Sequence, residues 1–220
     1  MKTHSLTLAI MAATAAALCG CSTAGYKQAD KTGAGIAEYR AEVLNVKKAV
    51  DDTLRSMNQV EATANTNPRH AFDQFSKSVD NLDAAARKAK SRGDAIRAQG
   101  EAYFMNWQQQ ISQLKNPEIK KLAEERKAKL WDAFQGIKRN AEPLRAKFDP
   151  WLSDLKDLQR YLSNDLTIEG VDAARKLFAK SKEDGAEVQK SMEALVAELN
   201  SIAAALTPAN LPPAAASGSQ

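Results

Sequence analysis

Apolar residues along this chain recur at alternating steps of three and four, and the rhythm runs nearly from end to end. It begins at Ile36 and continues through Tyr39, Val43, Val46, Val50, Thr53, Met57, Val60 and Ala64. Such spacing places side chains on one narrow stripe of an α-helix, and a second stripe of the same kind is what covers it. A strand, with its period of two, would scatter the same residues over both faces. A second run passes through Phe72, Phe75, Val79, Leu82, Ala86, Ala89, Gly93, Ile96, Gly100, Tyr103, Trp107, Gln110 and Leu114. The third carries Ile119, Ala123, Arg126, Leu130, Phe134, Ile137, Ala141, Leu144, Phe148, Trp151, Leu155, Leu158 and Leu162. The fourth carries Val171, Ala174, Phe178, Ser181, Gly185, Val188, Met192, Leu195, Leu199, Ile202 and Leu206. Composition agrees: only 6% of residues are aromatic, with 10 Gly in 220, which suits long helices rather than a sandwich or barrel.

The breaks between runs carry helix punctuation. Asn67-Pro68 and Asn116-Pro117 each pair a side-chain cap with proline at a first helical position. Thr167 is a candidate cap for the fourth helix, and Thr207-Pro208 stops it. Pro143 and Pro150 fall inside the third run. Each removes a backbone donor, so a kink near residues 139–150 or a break after Asn140 is expected, and the unbroken seam phase favours the kink. Short turns make neighbours antiparallel. The chain is therefore expected to be all-α, an elongated antiparallel coiled-coil-like bundle of three long helices plus a shorter N-terminal helix, spanning residues 36–206. Folding about residue 116 sets Phe134 opposite Gly100 and Ala141 opposite Gly93. Folding about residue 166 sets Phe148 opposite Gly185 and Trp151 opposite Ser181. Large side chains thus face small ones, which reads the glycines as packing notches, with a hinge as the alternative. Folding about residue 66 starts the first helix near Ile96 and leaves the far half of the second helix uncovered.

Residues 1–20 read as an export signal. Lys2 precedes an apolar run, Leu6 to Leu18, of 13 residues, too short to span a bilayer as a helix. Leu18-Cys19-Gly20-Cys21 resembles a bacterial lipobox. That resemblance implies cleavage after Gly20, a diacylglyceryl thioether on Cys21 and a further acyl chain on the new N-terminus. An ordinary cleaved signal with a free Cys21 thiol is the alternative. More than one acyl chain makes anchoring stable, so the membrane, through that lipid, is an expected partner. Ser22 after the lipid cysteine, where Asp would mean inner-membrane retention, implies the periplasmic face of the outer membrane. Residues 21–35, rich in Gly and polar residues, are expected to form a flexible tether. Residues 207–220, rich in Pro, Ala and Ser, are expected to be disordered.

Within the runs stand Ala71-Phe-Asp-Gln-Phe-Ser76, Phe104-Met-Asn-Trp-Gln108 with Ile111, and Asn116-Pro-Glu-Ile-Lys-Lys121, followed by Ala141-Glu-Pro-Leu144, Asp149-Pro-Trp-Leu152 and Leu162-Ser-Asn-Asp-Leu166. On these stretches the chain resembles a bacterial lipoprotein family, Domain of Unknown Function 2959, over roughly residues 21 to 206. It implies an all-helical, membrane-tethered periplasmic protein and brings no activity. The Gly-rich tether and Pro-rich tail depart from the family pattern.

Chemistry leaves little trace. Beyond residue 20 there is one histidine, His70, too few for a zinc site or a Ser-His-Asp triad. Two cysteines make no disulfide framework or Cys-based metal site. No cofactor, metal or catalytic residue is indicated, and the chain is not expected to be an enzyme. A net charge of +4 spread over 31 basic and 27 acidic residues does not indicate nucleic acid. Two binding features stand out. Tyr103, Phe104, Trp107, Ile111 and Trp131 are either core or, because the first helix stops short of them, an uncovered groove for a partner helix. Lys115, Lys120, Lys121, Lys127 and Lys129 are either part of a mixed-charge surface, with pairs such as Glu125 and Lys129, or an anion patch suited to lipid headgroups or cell-wall polymers. A self-associating seam and a monomeric bundle look alike in sequence, so the oligomeric state is open.

Overall fold

The computed structural model describes residues 24–206. Five helices follow one another: α1 (Ala24–Thr63), α2 (Arg69–Ser112), α3 (Pro117–Asn164), α4 (Ile168–Ala173) and α5 (Arg175–Leu206). The fold is all-α. At about 1.5 Å per residue, α2 and α3 are rods of roughly 65–70 Å.

The caps expected at Asn116 and Thr167 are made, whereas α2 opens at Arg69 with Pro68, not Asn67, at its cap and no side-chain bond from that cap. Asn116 Oδ1 accepts the amides of Glu118 and Ile119, with Pro117 opening α3. Asn67 Oδ1 accepts the Arg69 amide. Thr167 Oγ1 accepts the Gly170 amide at 3.0 Å. α3 runs unbroken through Pro143 and Pro150. Both prolines lie on the exposed side of the helix, where water can take the carbonyls they leave unpaired. The fourth run, read as one helix, is divided at Ala174, whose amide turns back to Gly170 and Val171.

The helices form an up-down-up-down ring in which α1 packs on α2 and α5, and α3 packs on α5 and α2. Polar pairs across α1 and α5 fix the direction: Lys47 with Glu193 at 2.8 Å, then Asp51 with Gln189, then Glu61 with Lys182. Numbers rise along one helix as they fall along the other, so the two are antiparallel. Every α1 position of the heptad seam from Ile36 to Ala64 is buried, as is every seam position of α4 and α5.

The N-terminal helix departs from expectation. It begins at Ala24, so most of the residues expected to form a tether are its first three turns. The stripe continues upstream of Ile36 through Thr32, Ala29 and Gly25, of which Thr32 is fully buried. Thr32 Oγ1 donates to the Gln28 carbonyl at 2.8 Å, which removes the cost of burying a hydroxyl. With 40 residues, α1 is longer than α5 with 32, and it lies along nearly all of α2.

Close approach occurs where small residues face large ones. A Cβ at Gly100 would collide with the Phe134 ring. A Cβ at Gly185 would sit 2.9 Å from Leu54 and 3.1 Å from Trp151, rather than against Phe148. Gly93 faces the Tyr39 ring at 3.0 Å instead of Ala141, because that side chain of α1 reaches into the gap between α2 and α3. Trp151 does meet Ser181: its Nε1 donates to the Ser181 carbonyl at 2.8 Å.

Candidate functional site

The aromatic residues expected to share one face come together. Phe104 lies 5.1 Å from Trp131 and 4.9 Å from Tyr103, ring centre to ring centre, and Phe134 joins the cluster 5.6 Å from Phe104. Offset and edge-on contacts of this length are favourable in a closed core. The face is not an uncovered groove. Because α1 starts at Ala24, its first turns lie over Tyr103 and Trp107, and Gln28 Oε1 accepts Asn106 Nδ2 at 2.7 Å. Tyr103, Phe104 and Ile111 are buried, while Trp107 and Trp131 keep a half-buried edge. Burial pushes the Tyr103 phenol above its ordinary value near 10, opposed weakly by the charge of Arg126.

Arg126, on a seam position, has no core to enter. α5 ends at Leu206 beside it, and the guanidinium donates to the Ala205 carbonyl at 3.1 Å, serving the last turn of α5. Lys127 donates to Gln108 Oε1 at 2.8 Å across the α2–α3 hairpin. Among the described residues, Lys115, Lys120, Lys121 and Lys129 form no ion pair, so the pair expected between Glu125 and Lys129 is not made. Lys115, Lys121 and Lys129 are exposed and Lys120 is half-buried. His70 is exposed, near the Gln74 amide. Cys21 lies outside the described residues. Among those residues no group of three or more His, Cys, Asp or Glu could hold a metal ion, and no helix is long and apolar enough to cross a membrane.

Two features escaped sequence reasoning. The first is a gap between α2 and α3, the thinnest interface of the ring. Ala86 and Ala89 face Ala141 and Leu144 there, with Tyr39 of α1 as the floor, around a cavity of about 260 Å³. That lies below the usual range for ligand pockets. Alanines too small to bridge the two rods account for it. Burial raises the Tyr39 phenol, with Arg145 opposing and Asp94 adding.

The second is the hairpin tip. Leu114 and Ile119, read as core from the seam, are 37% and 54% exposed, and Leu122 is 68% exposed. The stripe continues into the tip, but its partners do not. Gly25 sits against Gln110, so α1 begins below the turn. α5 stops at the level of Arg126, so about 14 Å of α3 extends past it. Comparing helix lengths about the three fold points was the available signal, and the misplaced start of α1 obscured it.

Comparison with known families decides the affiliation. The family model described as a protein of unknown function (DUF2959) matches residues 21–206. The chain belongs to this family. The DUF2959 match ends where α5 ends, so the whole helical ring lies within it. Neither characterised proteins nor solved structures give a match.

Proposed function

We propose that this chain is a lipid-anchored, non-enzymatic helical bundle on the periplasmic face of the outer membrane, acting as a structural scaffold or protein-interaction module of the cell envelope. The observation that carries the reading is where the polar side chains are used. Ser56 and Ser78 bond across α1 and α2 at 2.8 Å, Gln159 donates to Ser76 Oγ at 2.7 Å across α3 and α2, and Trp151 holds Ser181 across α3 and α5. These are locks between rods, and they suit a part whose work is to keep its length and shape.

The anchor follows from Leu18-Cys19-Gly20-Cys21. Mass spectrometry of the N-terminal peptide of membrane-extracted protein is expected to show acylated Cys21 as the first residue. Cys21→Ser is expected to release the chain from the membrane fraction or leave it unprocessed. An unmodified thiol at Cys21 in the wild-type chain would refute the anchor. Cross-linking in intact cells tests the scaffold: recurrent links to one envelope protein support it, and links confined to the chain itself refute it.

A second reading, a binding protein or sensor for anionic lipid or cell-wall fragments at the cationic end, is favoured by Lys115, Lys121 and Lys129, which form no ion pair among the described residues. Lys120→Glu with Lys121→Glu would then abolish co-sedimentation with sacculi or anionic vesicles, and unchanged binding removes it.

A further inference from the structure

Three observations meet at one end of the bundle. The first is the start of α1 at Ala24, which leaves only two residues, Ser22 and Thr23, between it and Cys21. The three Cα-to-Cα steps from Cys21 to Ala24 reach at most about 11 Å. The second is the uncovered tip of the α2–α3 hairpin. It passes the level of Gly25 and presents Leu114 (37% exposed), Ile119 (54%) and Leu122 (68%). Ile119 and Leu122, three residues apart, share one face of the first turns of α3. The third is charge. Between residues 113 and 122 stand Lys115, Lys120 and Lys121, without an ion pair among the described residues, against Glu118 alone. Tyr26, 56% exposed in the first turn of α1, adds an aromatic ring just below the tip, beside Asn106 and Gln110.

We propose that the tip of the α2–α3 hairpin is seated in the headgroup layer of the membrane that holds the lipid anchor, with Leu114, Ile119 and Leu122 toward the acyl boundary and Lys115 and Lys121 on anionic headgroups. This rests on the anchor at Cys21. Apolar residues flanked by lysines and an aromatic ring are the composition of a segment lying in the interface without crossing it. A 14-residue flexible tether would let the bundle tumble. A link of two residues does not, and it stands the rods on end with the 66 and 166 turns pointing away from the bilayer.

The test uses the acylated full chain in vesicles of phosphatidylethanolamine and phosphatidylglycerol. Removal of Cys19 with the signal and acylation of Cys21 leave the parent without a free thiol, so Leu122→Cys and Leu177→Cys each carry a single nitroxide. Leu177 is a control, 53% exposed near the opposite end. Power saturation compares access of oxygen, which concentrates in lipid, with access of a water-soluble nickel chelate. The ratio is expected to be several-fold higher at 122 than at 177. Equal, water-like ratios overturn the seating while leaving the anchor intact. A label at 122 shielded from both reagents also overturns it, since a protein surface, residues 207–220 or a second copy, would then be the occupant. A parent chain that itself takes up nitroxide shows a free thiol, and the anchor reading fails with the seating. Both substituted positions are exposed, and unchanged thermal unfolding of the two variants confirms the fold.

Discussion

Trp151→Ala is expected to lower folding stability by about 3–5 kcal/mol, the usual cost of deleting a large aromatic side chain from a packed core. Trp151 is 1% exposed, stands over the notch at Gly185, and meets Phe148 edge-on at 5.9 Å. Its Nε1 donates to the Ser181 carbonyl at 2.8 Å, so the truncation opens a cavity and removes a buried hydrogen bond together. α3 and α5 are helices that no short hairpin loop alone would hold in register, and this residue joins the last third of α3 to the first third of α5. Trp151→Phe keeps most of the volume and is expected to cost less, with loss of the hydrogen bond contributing about 1–3 kcal/mol. Urea denaturation followed by far-ultraviolet circular dichroism reads both. The midpoint should fall with an unchanged slope. A loss below about 1 kcal/mol for the alanine variant would mean that the α3–α5 contact is not formed there.

The second large effect has the opposite sign to helix propensity. Alanine in a helix interior is favoured over glycine by about 1 kcal/mol, so Gly100→Ala would stabilise an isolated α2. In the bundle the added methyl meets the Phe134 ring, which is itself packed against Phe104 and Trp131. Overpacking of this kind costs about 1–3 kcal/mol. Gly100→Ala is therefore expected to destabilise, and on a Phe134→Ala background the same change is expected to become neutral or favourable. The double-mutant cycle should give a coupling energy of about 1–3 kcal/mol. Additive effects would place the ring elsewhere.

Both residues were paired from turn positions alone, which shows what the sequence makes legible here. Where large side chains mark the stripe, as from Ile36 to Ala64 and from Phe178 to Leu206, helix, core face and partner follow from spacing. Where the stripe is made of Gly25, Ala29 and Thr32 it carries no hydropathy contrast, and the first turns of α1 read as a tether. That single omission accounts for the groove expected at Tyr103 and Trp107, which the first turns of α1 cover. Burial at the tip fails for a different reason. A seam specifies which face is apolar, not whether a partner extends far enough to cover it, and Leu114 and Ile119 lie past the ends of theirs. The gap between α2 and α3 is illegible for a third reason. Alanine satisfies the pattern at Ala86, Ala89 and Ala141 without filling the space between rods.

The claim on which the closed aromatic face and the end-on seating both depend is that α1 is helical and packed from its first turns. Hydrogen exchange by mass spectrometry on the acylated chain measures this directly. Peptides covering residues 27–35 are expected to exchange slowly, with protection approaching that of residues 46–60, since Thr32, Gly33 and Gly35 are buried and Gly35 packs on Ile96 and Gln99 of α2. Exchange at the rate of an unstructured peptide would contradict it, restoring the long tether and uncovering Tyr103 and Trp107.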